Sequence, residues 1–398
     1  MRSKSMMSML RFAVAVLACS LAAGTAMASQ TKVIHRFGGT LAAGPASGLV
    51  ADGLGNLYGV TGGAVYELSP ASGGSWTFQV IARMSSRYDL AGGLVLDSAG
   101  NLYGGTWQGG ANSCGYVYQV SPVSGGTWNF TILHTFACTD GAGGSYTMVL
   151  DGAGNLYGGT HNGGAYSEGV AFELSPGTGG TWTYTVLHEF SNAEGNGPQT
   201  GLTFDTTGNL YGGNETGIYK LTPNGDGTWT ESTAYAFQNA DGCNPLGDLS
   251  WDSAGNLYGT NQASGRYSSG TAFMLTPSSG GGWTSSVLHS FNYKNNNDGF
   301  YPSGGLIHDA AGNIYGTAQD GGGPGNSGIV FKLTPSGTGV WTESLLHRFG
   351  ANGSKNGTFP DYSLYMDGAG NLYGVTAAGG NPACNTPNGC GVVYELVP

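Results

Sequence analysis

The chain has 398 residues, of which 75 are glycine and only 9% are charged, and a glycine share more than twice the usual ~7% suits turn-dense β structure, not helices. Its formal net charge is −11, which excludes nucleic acid as a natural partner. The length allows either two ordinary domains or one closed repeat array.

At the N-terminus, Arg2, Lys4 and Arg11 precede an apolar run from Phe12 to Ala23, and Ala26-Met27-Ala28 puts small residues where a signal peptidase reads. Residues 1–28 are therefore expected to be a secretory signal, since the run is shorter than the ~20 residues of a spanning helix. A lipoprotein signal fits less well: Cys19 follows Val16-Leu17-Ala18, but apolar residues continue beyond it. Removal of the segment takes three basic and no acidic residues and leaves a net charge near −14. The mature chain is then expected to be secreted or displayed at the cell surface, with no transmembrane segment.

The first element after the signal is a lone strand, Val33-Ile34-His35-Arg36-Phe37. It reads like the later segments Leu133-His134-Thr135-Phe136 and Leu187-His188-Glu189-Phe190. Then comes a phrase, Asp-x-x-Gly-Asn-(Leu/Ile)-Tyr-Gly, beginning at Asp52, Asp97, Asp151, Asp205, Asp252, Asp309 and Asp367. The aspartates are 45, 54, 54, 47, 57 and 58 residues apart, the period of a blade built from a small antiparallel sheet.

A second phrase, Ser/Thr-Pro then a glycine-rich stretch and a tryptophan, recurs six times with the proline and tryptophan always six residues apart, from Pro70 and Trp76 to Pro335 and Trp341. Four strands per repeat, a to d, lie between these turns. In the second repeat they are about Leu94–Leu96, Leu102–Thr106, Tyr116–Val120 and Thr127–Phe136. The last repeat ends on a c strand, Val392 to Leu396, so the N-terminal strand is expected to supply its missing d. The fold class is thus all-β: a seven-bladed β-propeller of four-stranded antiparallel blades in one domain, residues 29–398, closed by the N-terminal strand and monomeric.

The turns from a to b and from c to d never change length. The spacing from motif aspartate to proline runs 18, 25, 25, 18, 25 and 26 residues, and from tryptophan to the next aspartate 21, 23, 23, 23, 26 and 26. All variation therefore falls in the b-to-c and d-to-a loops, which share one end of an up-and-down sheet. Function is expected on that varied face.

Most recurrent residues read as scaffold. The motif aspartate is expected to bond backbone N–H groups of its own turn, with glycine and asparagine tolerating positive φ. Calcium loops need several acidic oxygens in about a dozen residues, and these turns usually offer one. The tyrosines at strand b are expected in core or inter-blade packing, and the tryptophans as covers for each sheet. His35, His134, His188, His289 and His347 precede a strand-d phenylalanine by two and lie on separate blades, so packing or hydrogen bonding is expected, not a shared metal. Cys384 with Cys390 and Cys114 with Cys138 are expected disulfides, leaving Cys243 free.

No Gly-x-Ser-x-Gly elbow, His-Glu-x-x-His helix or phosphate-binding glycine loop with lysine is present, so no catalytic residue, cofactor or metal is assigned. Trp107, His161, Glu215, Asn261, Gln319 and Asp320 follow strand b on the varied face and are the candidate binding residues.

The run from Asp151 to Gly164 and the following Phe172-Glu173-Leu174-Ser175-Pro176 resemble the tandem repeat of the choice-of-anchor GloVer-containing proteins. The resemblance covers nearly all of residues 31–398. It implies a secreted or surface-displayed bacterial repeat protein without an established activity, and it brings no catalytic residues. The chain stops at Pro398 without the hydrophobic sorting tail that such proteins often carry. Three readings of function follow. The first is a module binding glycan or a cell-envelope protein. The second is an extracellular polysaccharide lyase or hydrolase, in which His161 or Glu215 would have to converge near the axis. The third is a purely structural surface protein, with no single concave site.

Overall fold

The computed structural model describes residues 29–38, 44–84, 92–145, 147–337, 339–350, 354–384 and 388–398. The expected signal segment lies outside the described residues. Seven antiparallel four-stranded sheets form a seven-bladed β-propeller, and in blades 1 to 6 the strands lie in chain order. In the second blade strands a to d are Val95–Leu96, Leu102–Gly105, Tyr116–Val123 and Thr127–Thr135, so c runs further than expected and a is only two residues long. The seventh blade pairs Tyr365–Met366, Leu372–Thr376 and Val392–Val397 with the N-terminal strand Gln30–Arg36. Its register runs from Gln30 opposite Val397 to Arg36 opposite Val392. The ring is therefore closed by the two ends of the chain.

The repeated phrase builds one turn seven times. In the first copy, Asp52 Oδ1 accepts from the N–H groups of Leu54 and Asn56, both at 2.9 Å. Its Oδ2 accepts from Asn56 Nδ2 at 2.7 Å and from the Tyr58 hydroxyl at 3.0 Å. The later copies repeat these bonds, as at Asp97, Asp252 and Asp309. Only the glycine takes the left-handed backbone, with φ near 84° at Gly55. The asparagine does not, and instead donates its side-chain amide to the aspartate, which corrects the expectation for that position.

The motif's last glycine answers to packing. A Cβ at Gly59, Gly104, Gly212 or Gly374 would meet the hydroxyl of Tyr66, Tyr118, Tyr219 or Tyr394 at 2.3–2.4 Å. At Gly259 and Gly316 it would meet Phe273 or Phe331 at 2.6 Å. An aromatic ring from strand c thus fills the space beside strand b.

The core is divided among the seams between blades. Each of seven buried clusters joins residues of two neighbouring blades, as where Tyr58 and Val65 of the first meet Leu102 and Tyr118 of the second. The motif tyrosines sit in these seams, edge-on to the tryptophan of the next blade: Tyr58 to Trp128 at 5.8 Å, Tyr103 to Trp182 at 5.9 Å, Tyr373 to Trp76 at 6.0 Å. The tryptophans therefore couple blades as well as covering sheets.

The five strand-d histidines each lie edge-on to the phenylalanine two residues on. His134 also stacks on Tyr184 of the next blade at 3.9 Å. Their role is packing and hydrogen bonding, on separate blades.

Candidate functional site

The residue just before the buried leucine or methionine that leads into strand a faces its counterparts in other blades. In the seven blades it is Gly48, Gly93, Thr147, Gly201, Asp248, Gly305 and Ser363. The space is too narrow for seven side chains. A Cβ at Gly93 would meet Thr147 Oγ1 at 2.3 Å, at Gly201 Asp248 Oδ1 at 2.7 Å, and at Gly48 the Ser363 carbonyl at 2.9 Å. Four glycines thus make room for three polar side chains, which meet across the ring. Asp248 Oδ2 accepts from Thr147 Oγ1 at 3.1 Å and from Ser363 Oγ at 3.3 Å. Ser363 Oγ in turn accepts from the Gly305 N–H at 2.9 Å.

Over this floor lies a cavity of about 320 Å³, within the range of small-ligand sites. Its walls are d-to-a loop residues of six blades, among them Ser47, Gly93, Thr147, Asp248, Ser303 and Asp361, joined by Tyr362 and Trp107. Convergence of six blades on one cavity places it on the axis at the varied face.

Trp107 follows strand b of the second blade and enters this wall against Gly143 and Gly144, where a Cβ would come within 3.4 Å and 3.1 Å of it. The His161 ring lies near it, 5.7 Å away between centroids and tilted by 34°. His161 Nδ1 lies 3.3 Å from the Pro198 carbonyl.

The two pocket carboxyls are both pushed above the ordinary aspartate range. For Asp248 the cause is burial, offset in part by hydrogen bonds from Thr147, Ser363 and the Gly201 N–H. For Asp361 burial again dominates, a Ser303 hydroxyl bond opposes it, and the charge of Asp320 adds to the rise. Burial likewise raises Asp320 and, with Asp361 beside it, the Tyr362 hydroxyl.

Of the six candidates from the sequence, Trp107 alone lines the cavity among the described residues. His161 lies near it, and Asp320 acts through its charge on Asp361. The other three are elsewhere. Glu215 accepts from Asn196 Nδ2 at 2.6 Å on the exposed surface. Asn261 is fully buried and donates to the Asp241 carbonyl at 3.0 Å. Gln319 bonds through its backbone to Tyr301. Asp248, Asp361, Ser363 and Thr147 were missed because they precede strand a, not follow strand b. The available signal was that three of the seven axial positions are polar where the other four are glycine.

Cys114 is bonded to Cys138 and Cys384 to Cys390, and Cys243 is free. Away from the axis, His188, Glu194 and Glu231 bring one donor atom each within 4.8 Å of one another. The same position holds His134 with Asp140 and His289 with Asp298, so the pairing of a strand-d histidine with a carboxylate of the loop after it recurs from blade to blade. No described helix is long and apolar enough to cross a membrane.

The profile of the Gloeobacter/Verrucomicrobia repeat matches residues 60–218 and 213–398. No curated protein matches the chain by sequence. Among solved structures, the chain is similar to virginiamycin B lyase from Staphylococcus aureus, with a TM-score of 0.57 and 12% identity over 93% of this chain and 99% of that one. It is also similar to the extracellular domain of a protein described as a hybrid two component system from B. thetaiotaomicron, with a TM-score of 0.56 and 14% identity over 89% of this chain and 39% of that one. At these identities the likeness is one of fold.

Proposed function

The chain belongs to the Gloeobacter/Verrucomicrobia repeat family, and from that premise we propose an extracytoplasmic binding propeller that takes a saccharide in the axial pocket of its varied face. The observation that carries this reading is the cavity itself, walled by six blades and carrying the half-buried Trp107 among serine and threonine hydroxyls. An indole face stacks on the C–H face of a sugar ring, and fixed hydroxyls and carboxyls select among its hydroxyl groups. Two disulfides on varied-face loops support an oxidising compartment, in keeping with the signal-like N-terminus. A concave pocket of this size favours a small ligand or chain end over the flat surface of an envelope protein. It also weighs against a purely structural role. His161 and Glu215 do not converge at the axis, which weighs against the lyase or hydrolase reading.

A thermal-shift screen of residues 29–398 against oligosaccharides tests the proposal. One glycan class is expected to raise the melting temperature, since ligand at 100 Kd stabilises by about 2.7 kcal/mol. Trp107→Ala should weaken that binding by about tenfold or more. No shift with any saccharide would instead favour a protein partner or a structural role.

A further inference from the structure

Among the described residues, the lining of the axial pocket carries charge of one sign only. Asp248 and Asp361 face it, and among the described residues no lysine, arginine or histidine does. Nor is the charge compensated from behind: among the described residues every ion pair to a carboxylate comes from a histidine, and none of these reaches the pocket. Asp361 takes a hydroxyl hydrogen bond from Ser303, and Asp320 nearby adds a further negative charge. A neutral ligand that covered these carboxylates would desolvate them without an opposing charge, which is costly. A cation would offset that cost. Trp107 supplies the complementary surface, because the negative face of an indole attracts an ammonium group. The net charge of −11 over the whole chain draws cations toward it.

We infer that the saccharide of the axial pocket carries a free amine, bound as its ammonium ion by Asp361 and Asp248 against the Trp107 ring. The inference rests on the saccharide reading and narrows it to amino sugars that are not N-acetylated. Asp361 is the principal partner, because Asp248 already accepts from Thr147 and Ser363.

Isothermal titration of residues 29–398 with glucosamine oligomers and with the same oligomers fully N-acetylated, at a pH near 6 and low salt, separates the possibilities. The free-amine oligomers are expected to bind at least about tenfold more tightly, with affinity falling as salt rises. Asp361→Asn retains an acceptor for Ser303 and is expected to bring the two ligands within about threefold of each other. If that variant does not fold, Asp320→Asn removes charge outside the lining and should reduce the preference by a smaller factor. Equal binding of both oligomers would overturn the amine inference and leave the saccharide reading standing. Binding of neither would overturn both.

Discussion

At the scale of single residues, the motif aspartate shows how one side chain fixes a turn. Burial pushes its carboxyl up, but the asparagine amide, two backbone N–H groups and, at most copies, the tyrosine hydroxyl outweigh that effect. Asp52, Asp205, Asp252, Asp309 and Asp367 are held below the ordinary value. A carboxyl with a lowered folded pKa contributes stability above its unfolded pKa and loses it as pH falls through the folded one, so these turns should weaken below about pH 4. Asp309→Ala is expected to cost about 1.5–3 kcal/mol in denaturant unfolding at pH 7. A loss under about 0.5 kcal/mol would show that the turn stands without it. Gly316→Ala forces a methyl group against Phe331 and Leu306 and should cost about 1–3 kcal/mol by overpacking. An unchanged melting temperature would mean that the two side chains move aside freely.

At the scale of elements, the strands and turns were legible because their chemistry repeats: Asp-x-x-Gly-Asn marks one junction and Pro to Trp the other. Both disulfides were legible from their loops. The pocket was legible only in part. Trp107 stood out as a large aromatic after strand b, but Asp248 and Asp361 lie in d-to-a loops of different lengths. Their approach to one another depends on ring closure, which no local pattern contains. Asn261 misled for a related reason: it lies within strand b, Leu257–Ala263, not after it, and the loop carrying Asp241 folds over it and buries it. The Cys114–Cys138 bond ties the two varied-face loops of the second blade, across 24 residues of chain. Replacing both cysteines by alanine should cost about 2–4 kcal/mol, read as a lowered melting temperature. The Cys384–Cys390 bond closes a loop with a separation of only 6 residues and should matter less.

At the scale of the whole molecule, stability depends on the closure made by Gln30–Arg36. Two half-buried histidines stand at its seams. His35 stacks on Phe78 at 4.0 Å, and His347 Nδ1 lies 2.8 Å from Thr31 Oγ1. Burial lowers both from 6.5 to about 4. The unfolded chain therefore binds protons that the folded ring does not, and stability falls as pH drops from about 6.5 toward 4. A double variant with His35→Phe and His347→Phe should flatten the fall of melting temperature over that window, and an unchanged slope would assign it to other groups. Deletion of residues 29–36 would expose the edge of Val392–Val397, so self-association on gel filtration is the expected outcome.

The same closure brings six blades to one cavity, and the proposed function depends on that cavity. The most direct measurement is a crystal structure of residues 29–398 with the tightest-binding oligosaccharide of the screen. The expected result is a sugar ring on the axis, packed on Trp107 with polar groups at Asp361. A ligand seated on the outer strands or at the constant-turn face, with the axial cavity empty, would contradict the assignment of the binding site.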